Sequence, residues 1–301
     1  MSEDKKADAT VRCASCGIVE IDDIKLKECD GCDLVKYCSD ECKRDHIPAH
    51  EEACKKRAAE LRDEILFKQP ESTHLGDCPI CSLPLPIERS KSSMYYCCSK
   101  LVCDGCDRAY LKRQLEMRLA LSCPFCRESI TSGEGTEKQM MKRMEANDPV
   151  AICYVGVEQF KKRKYHSAFE YWTKAAELGD ARSHYELSLM YMNGLAVEKD
   201  EGKQIYHLKE AAIAGHPGAR YNLGCCENDN GNAERAVKHF IIAATQGEDD
   251  GIKALIKAFK QGFVSKEDLA TALRAHKAAV DATRSPQRKE AEDFLRRKGL
   301  M

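Results

Sequence analysis

The residues best placed to do chemistry are soft metal donors that come in pairs. Cys13-x2-Cys16, Cys29-x2-Cys32, Cys38-x3-Cys42 and His50-x3-Cys54 occupy the first 54 residues. A two-residue gap lets both sulfurs of a pair reach one zinc ion at about 2.3 Å. A three-residue gap does the same on a helix, where residues i and i+4 share a face. Four such pairs make two tetrahedral sites, and the spacing leaves open which pair joins which. A second block follows with Cys78-x2-Cys81, Cys97-Cys98, Cys103-x2-Cys106 and Cys123-x2-Cys126, again eight donors. Of the 18 cysteines, only Cys153, Cys225 and Cys226 lie beyond these blocks. The N-terminal stretch MSEDKKADATVR has no apolar core of the kind an export signal needs. The expected setting is therefore intracellular, cytoplasmic or nuclear, where disulfides are rare and clustered cysteines hold metal. Zinc is the expected cofactor, at about four ions per chain.

The first block resembles the MYND zinc finger. Its most distinctive stretch runs Tyr37-Cys38-Ser39-Asp40-Glu41-Cys42, then His46-Ile47-Pro48, His50 and Cys54, with Ser39 placed to cap a helix. Ile47 stands where the family usually carries Trp. The resemblance implies interleaved sites: Cys13, Cys16, Cys38 and Cys42 on one ion, and Cys29, Cys32, His50 and Cys54 on the other. His46 is expected to pack beside the second site, the alternative being that it competes with His50 as ligand, and Val35 and Tyr37 are expected to form the small core.

The second block resembles a RING finger. Cys78-Pro79-Ile80-Cys81 opens it and Cys123-Pro124-Phe125-Cys126-Arg127 closes it. Lys100 holds the position of the family's histidine ligand, and a protonated lysine cannot ligate zinc. Cys97 is the natural substitute, beside Cys98. His74 is a weaker candidate from outside the block. The resemblance implies that Ile80, Pro124 and Arg127 would meet a ubiquitin-conjugating enzyme if the module were a ligase.

These blocks need other elements to carry them. Ala58, Leu61, Ile65 and Leu66 recur at helical spacing after the first block, and Pro70 ends that helix. TSGEGT at 131–136 reads as a linker. Beyond it a motif recurs: Ala175-Ala176-x-x-Gly179, Ala211-Ala212-x-x-Gly215 and Ala243-Ala244-x-x-Gly247, with a weaker echo at Ala278-Ala279-x-x-Ala282. The glycines fall 36 and then 32 residues apart and suit left-handed helix C-caps. A stripe of Tyr165, Ala168, Phe169, Trp172, Ala175 and Ala176 precedes the first. Helix pairs at this period mark an α-solenoid, in which each repeat buries its face by stacking on the next. Tyr191-Met192-Asn193-Gly194, Asp200 and Lys209-Glu210-Ala211-Ala212 resemble the Sel-type repeats, relatives of the tetratricopeptide repeat.

The expected fold is small zinc-stabilised α+β modules followed by an all-α helical-repeat solenoid. The expected organisation is a disordered N-terminus (1–12), a MYND-type finger (13–54), a helical linker (55–77), a RING-like finger (78–127) and a linker (128–145). Sel-type repeats (146–250) and a degenerate repeat with C-terminal helices (251–301) complete it. The net charge of −1 gives no electrostatic case for nucleic acid, and no run of residues matches a membrane span. The sequence holds no glycine-rich phosphate loop and no nucleophile–His–Asp order, so no intrinsic catalytic site is assigned. The expected function is a zinc-binding protein–protein interaction adaptor, with partners held by the fingers and by the solenoid's concave face. The alternative is a RING-type ubiquitin ligase whose repeats select substrate.

Overall fold

The computed structural model describes residues 11–21 and 24–299. The chain divides into two compact units, Met1–Lys68 and Gln69–Met301. Most of the expected disordered N-terminus, residues 1–10, lies outside the described residues. Arg12 pairs with Val19 in an antiparallel bridge.

The first unit contains a two-residue antiparallel ladder, β1 (Lys27–Glu28) with β2 (Lys36–Tyr37), and one long helix, α1 (Asp40–Leu66). Ser39 caps α1 by accepting from the Cys42 amide at 3.2 Å. The helical tract foreseen after the first cysteine block is continuous with this capped helix. Pro48 is carried within it, and the helix stops at Leu66, before Pro70. Only His50 and Leu66 of α1 are buried. What fastens the helix to the finger is polar: the Arg57 guanidinium grips both carboxylate oxygens of Asp33 at 2.7 Å and reaches Glu64 at 2.9 Å. Cys13, Leu26 and Tyr37 form the core, with Val35 packed against it.

The second unit opens with a hairpin, β3 (Ser92–Tyr95) and β4 (Lys100–Cys103), which runs directly into α2 (Asp104–Glu116). A helix α3 (Glu134–Glu145) occupies the second half of the stretch read as linker. The repeats follow as pairs: α4 (Pro149–Lys161) with α5 (Tyr165–Glu177), α6 (Ala181–Asn193) with α7 (Glu201–Ile213), and α8 (Pro217–Asp229) with α9 (Ala233–Thr245). Next come α10 (Asp249–Lys260), α11 (Lys266–Ala282) and α12 (Pro286–Arg297), giving twelve α-helices among the described residues. Gly179, Gly215 and Gly247 end α5, α7 and α9 with φ of +85°, +83° and +91°. At each, the backbone reverses so that Asp180, His216 or Glu248 caps or opens the next helix.

Close helix approach within two of the pairs is set by a glycine facing an aromatic ring. A Cβ at Gly156 would stand 2.5 Å from Trp172 Nε1, and one at Gly224 would stand 2.4 Å from Phe240. The Trp172 ring is fully buried, and its N–H donates to the Cys153 carbonyl at 3.2 Å. The helical-repeat architecture expected from the alanine–glycine motif is therefore present, and the glycine–aromatic contacts set its spacing.

Candidate metal centres and partner surfaces

Three of the cysteine pairs share one local turn. In Cys13-x2-Cys16, Cys78-x2-Cys81 and Cys123-x2-Cys126 the next residue takes a left-handed conformation: Gly17 at φ +77°, Ser82 at +55° and Arg127 at +65°. Its amide donates back to the carbonyl of the first cysteine, at 2.9, 2.8 and 3.1 Å respectively. This turn aims both sulfurs of a pair to one side. The other donors come from helix starts and one hairpin loop. Cys42 sits in the first turn of α1, and His50 and Cys54 lie one turn apart further along it. Cys103 caps α2 and Cys106 lies in its first turn. Cys97 and Cys98 both lie in the tight loop joining β3 to β4, where Ser99 at φ +56° turns the chain.

The donors gather into four groups: Cys13, Cys16, Cys38, Cys42; Cys29, Cys32, His50, Cys54; Cys78, Cys81, Cys103, Cys106; and Cys97, Cys98, Cys123, Cys126. Within each group the ligand atoms lie within 4.8 Å of one another. Sulfurs on a tetrahedral zinc are about 3.8 Å apart. Cys38 and Cys42 are 3.6 Å apart, Cys29 and Cys54 3.7 Å, Cys81 and Cys103 3.9 Å, and Cys98 and Cys123 3.7 Å. His50 offers Nε2 at 3.2 Å from Cys32. All the cysteines are free of disulfides. The donor chemistry and spacing fit zinc at each group.

At two of the donors, Cys78 and Cys13, backbone amides favour the thiolate. Burial pushes the Cys78 thiol up, but the N–H groups of Cys103, Cys81 and Ile80 outweigh it and hold it at about 7. At Cys13 burial is likewise outweighed, chiefly by the amides of Cys16 and Cys38, and the thiol sits at about 6. A thiolate is the form that binds metal.

His46 and His74 stand outside the four groups. His46 Nδ1 is in hydrogen-bond contact with the Tyr37 hydroxyl at 3.1 Å, and its ring stacks on His50. His74, considered above as an outside ligand, has a different place. It stacks on His216, which stacks in turn on Tyr185, with ring centroids 4.2 and 4.3 Å apart. Its amide donates to the Gly215 carbonyl at 3.0 Å. Lys100 lies 4.6 Å from the centre of the Phe125 ring as a cation–π contact.

The RING-like finger and the repeats are packed as parts of one unit. Tyr96 of the hairpin loop donates to the Tyr154 hydroxyl of α4 at 2.8 Å. Gln69 accepts from Thr245, and Ile87 approaches Gly247. A face lined by α4, α6 and the turns before α8 and α10 is thus covered by the chain's own residues 69–96. The sequence carried no sign of this, because its signal is spread over single residues far apart in the chain. Ile80 and Arg127 are exposed on the two cysteine turns of the finger, and Pro124 is half-buried. Other exposed apolar residues include Tyr206 and Ile213 on α7, and Leu115, Met117 and Leu119 at the end of α2.

Residues 13–54 match the model of the MYND finger, and residues 152–180, 181–216 and 217–248 match the Sel1 repeat. The chain carries a MYND finger and Sel1 repeats. A stretch of 53 residues is 36% identical to the putative RING finger protein ORF96 of Ostreid herpesvirus 1, covering 18% of this chain and 22% of that protein. The mouse DAP3-binding cell death enhancer 1 is 25% identical over 46% of this chain and 35% of its own length. The chain thus matches only about a third or less of these relatives. Among solved structures, the c5321 antigen of uropathogenic Escherichia coli, which displays an SLR fold, superposes with a TM-score of 0.41 at 29% identity. It covers 49% of this chain and 33% of its own. A Sel1 repeat protein from Oxalobacter formigenes gives 0.44 at 22% identity, over 58% of this chain and 52% of its own. Among the described residues no helix is long and apolar enough to cross a membrane.

Proposed function

We propose that the chain is an intracellular adaptor that assembles proteins, with four structural zinc ions held by the four donor groups named above. The observation that carries this reading is that every group offers four soft donors. Four protein ligands close a tetrahedral ion, whereas zinc hydrolases leave one position for water. Closed zinc shapes a surface, and the work of that surface is binding. Residues 13–54, 78–127 and 146–250 are the proposed binding modules. Because residues 69–96 cover one face of the repeats, partner contact on the repeats is assigned elsewhere, to the exposed residues of α7, Tyr206 and Ile213. The MYND finger supplies a separate surface, on which Ile47 is exposed. The test is cross-linking mass spectrometry of the tagged full chain in cells, repeated with Cys32→Ser and with Tyr206→Glu/Ile213→Glu. Partners should drop out in separate sets. A partner list unchanged by either variant overturns the adaptor reading.

A second reading, a RING-type ubiquitin ligase, is favoured by one observation: Ile80 is 43% exposed between two donors and Arg127 is exposed after the last. Discharge of ubiquitin from a charged conjugating enzyme separates the two. Discharge by the wild type, weakened by Ile80→Ala with zinc retained, supports the ligase. No discharge above the enzyme-only background leaves the adaptor.

A further inference from the structure

Arg288 belongs to the first turn of α12, more than 200 residues away from the finger it touches. Its Nη1 donates to the Pro84 carbonyl at 2.6 Å and to the Thr283 carbonyl at 2.7 Å. Its Nη2 donates to the Leu83 carbonyl at 3.1 Å and lies 3.4 Å from Cys81 Sγ. One guanidinium thus joins a metal donor, the chain just after that donor's turn, and the corner between α11 and α12. The same helix packs on α2, which carries two further donors of the group, Cys103 as its cap and Cys106 in its first turn. A Cβ at Gly105 would stand 2.7 Å from the Arg288 amide, so the two backbones meet directly. Arg108 lies 3.4 Å from the centre of the Phe294 ring, and Lys91 pairs with Glu292 at 4.0 Å.

We propose that Arg288 couples zinc at the Cys78, Cys81, Cys103, Cys106 group to the docking of the C-terminal helix, making residues 283–297 a zinc-dependent clasp over α2. The proposal rests on the reading of that group as a zinc site. Four thiolates on Zn²⁺ leave a net charge of −2, and a guanidinium at hydrogen-bond distance offsets part of it. Arginine suits the position because its planar fork can serve several acceptors at once, which a lysine ammonium cannot do in this geometry. Zinc holds the Cys81 turn and the start of α2 in the positions that Arg288 and the α12 backbone contact. Linkage makes the effect reciprocal: if zinc favours the docked helix, the docked helix favours zinc by the same factor. α12 lies over α2, so loss of zinc at this one group exposes the α2 face together with the apolar side of α12.

The test uses the full chain loaded with zinc. Alkylation of each cysteine by N-ethylmaleimide is followed by mass spectrometry under chelator competition, with hydrogen exchange of α12 measured alongside. Arg288→Ala should speed alkylation of Cys78, Cys81, Cys103 and Cys106 by about tenfold or more, as loss of an outer-shell partner does at other zinc sites. Cys97, Cys98, Cys123 and Cys126 should change little, and α12 should exchange faster with zinc still bound. Arg288→Lys, which keeps the charge but not the fork, should fall between and guards against a variant that merely misfolds. Stripping zinc from the wild type should also speed exchange in α12. The proposal is overturned if Arg288→Ala and Arg288→Lys both leave the first four cysteines as protected as in the wild type, or if α12 exchange ignores zinc. Rapid alkylation of those cysteines in the untreated wild type would sink the zinc reading itself, a result distinct from either of these.

Discussion

Gly215 offers a direct measurement of how firmly the RING-like finger is seated on the repeats. It ends α7 at φ +83°, and a Cβ there would stand 2.8 Å from the Ser72 carbonyl oxygen and 3.3 Å from the His74 amide. Gly179 ends α5 at almost the same φ, +85°, yet a Cβ there meets nothing within 4 Å. Replacing either by alanine forces an L residue into left-handed backbone, at about 1–2 kcal/mol. For Gly179→Ala that is the whole cost. For Gly215→Ala the segment at Ser72–His74 must also move, which breaks the His74 amide bond to Gly215 and disturbs the stack on His216. An unpaired buried donor adds about 1–3 kcal/mol, so Gly215→Ala should cost about 2–5 kcal/mol in total. Urea unfolding of the zinc-loaded chain, followed by circular dichroism, gives both numbers. Hydrogen exchange at His74 should rise in Gly215→Ala and stay unchanged in Gly179→Ala. Equal destabilisation by the two substitutions, to within about 0.5 kcal/mol, would show that the segment at Ser72–His74 does not press on Gly215, because the two glycines share a backbone conformation and differ in neighbour contact.

Elemental analysis should give about four zinc ions per chain, and chelation should unfold the fingers while α5–α9 keep most of their helix signal, since stacked apolar faces hold them. Two ions or fewer would remove the second pair of sites. His74 is held at about 4 by burial, reinforced by Arg89, and His216 lies well below its ordinary range chiefly by burial. Groups so depressed add stability that is full above about pH 6.5 and is lost as pH falls toward 4. At pH 5 the His74 share of the loss is about 2 kcal/mol. The urea-measured stability of the wild type should therefore fall more than that of His74→Gln between pH 7.5 and 5, zinc release being common to both; parallel curves would count against it. Trp172→Ala should cost about 3–5 kcal/mol, since the ring is fully buried against Gly156. Ile80→Ala should change stability by less than about 0.5 kcal/mol, because its side chain is 43% exposed.

Much of this architecture was written in short-range spacing. The alanine–glycine blocks mark helix ends because only residues close in sequence decide a C-cap, and Gly179, Gly215 and Gly247 all adopt left-handed backbone. The donors cluster because a C-x2-C pair is a local turn. The sequence did not expose the glycine–aromatic contacts of Gly156 with Trp172 and Gly224 with Phe240. A signal was available there: in both cases the aromatic follows the glycine by 16 residues. Arg127 has a second explanation that its family position concealed, because the residue after each of three cysteine pairs must take positive φ to close the turn. The seating of His74 between finger and repeats, and of Arg288 beside Cys81, rests on side chains from distant segments. No periodicity records such a contact, so a residue singled out as a spare ligand turned out to be part of a ring stack.

The two zinc-binding blocks solve their folding problem differently, and the difference bears on function. Neither block has the length to bury much apolar surface, so zinc must stand in for a core. In the second block Cys78, Cys103, Cys106 and Cys123 make up most of the buried cluster, with Leu85, Tyr95 and Val102. That block and the segment before it add contacts on two sides: Tyr96, His74 and Gln69 against the repeats, and from α12 Arg288 against the Cys81 turn and Phe294 against α2. Each contact spends a surface that a partner would otherwise meet. Among the residues left exposed on the finger are Ile80 and Arg127 on the cysteine turns, and Leu115, Met117 and Leu119 at the end of α2. Shape at these exposed residues is set by zinc on one side and by the repeats on the other. A change in either should therefore alter what the finger can bind, which an isolated finger on a flexible tether could not achieve.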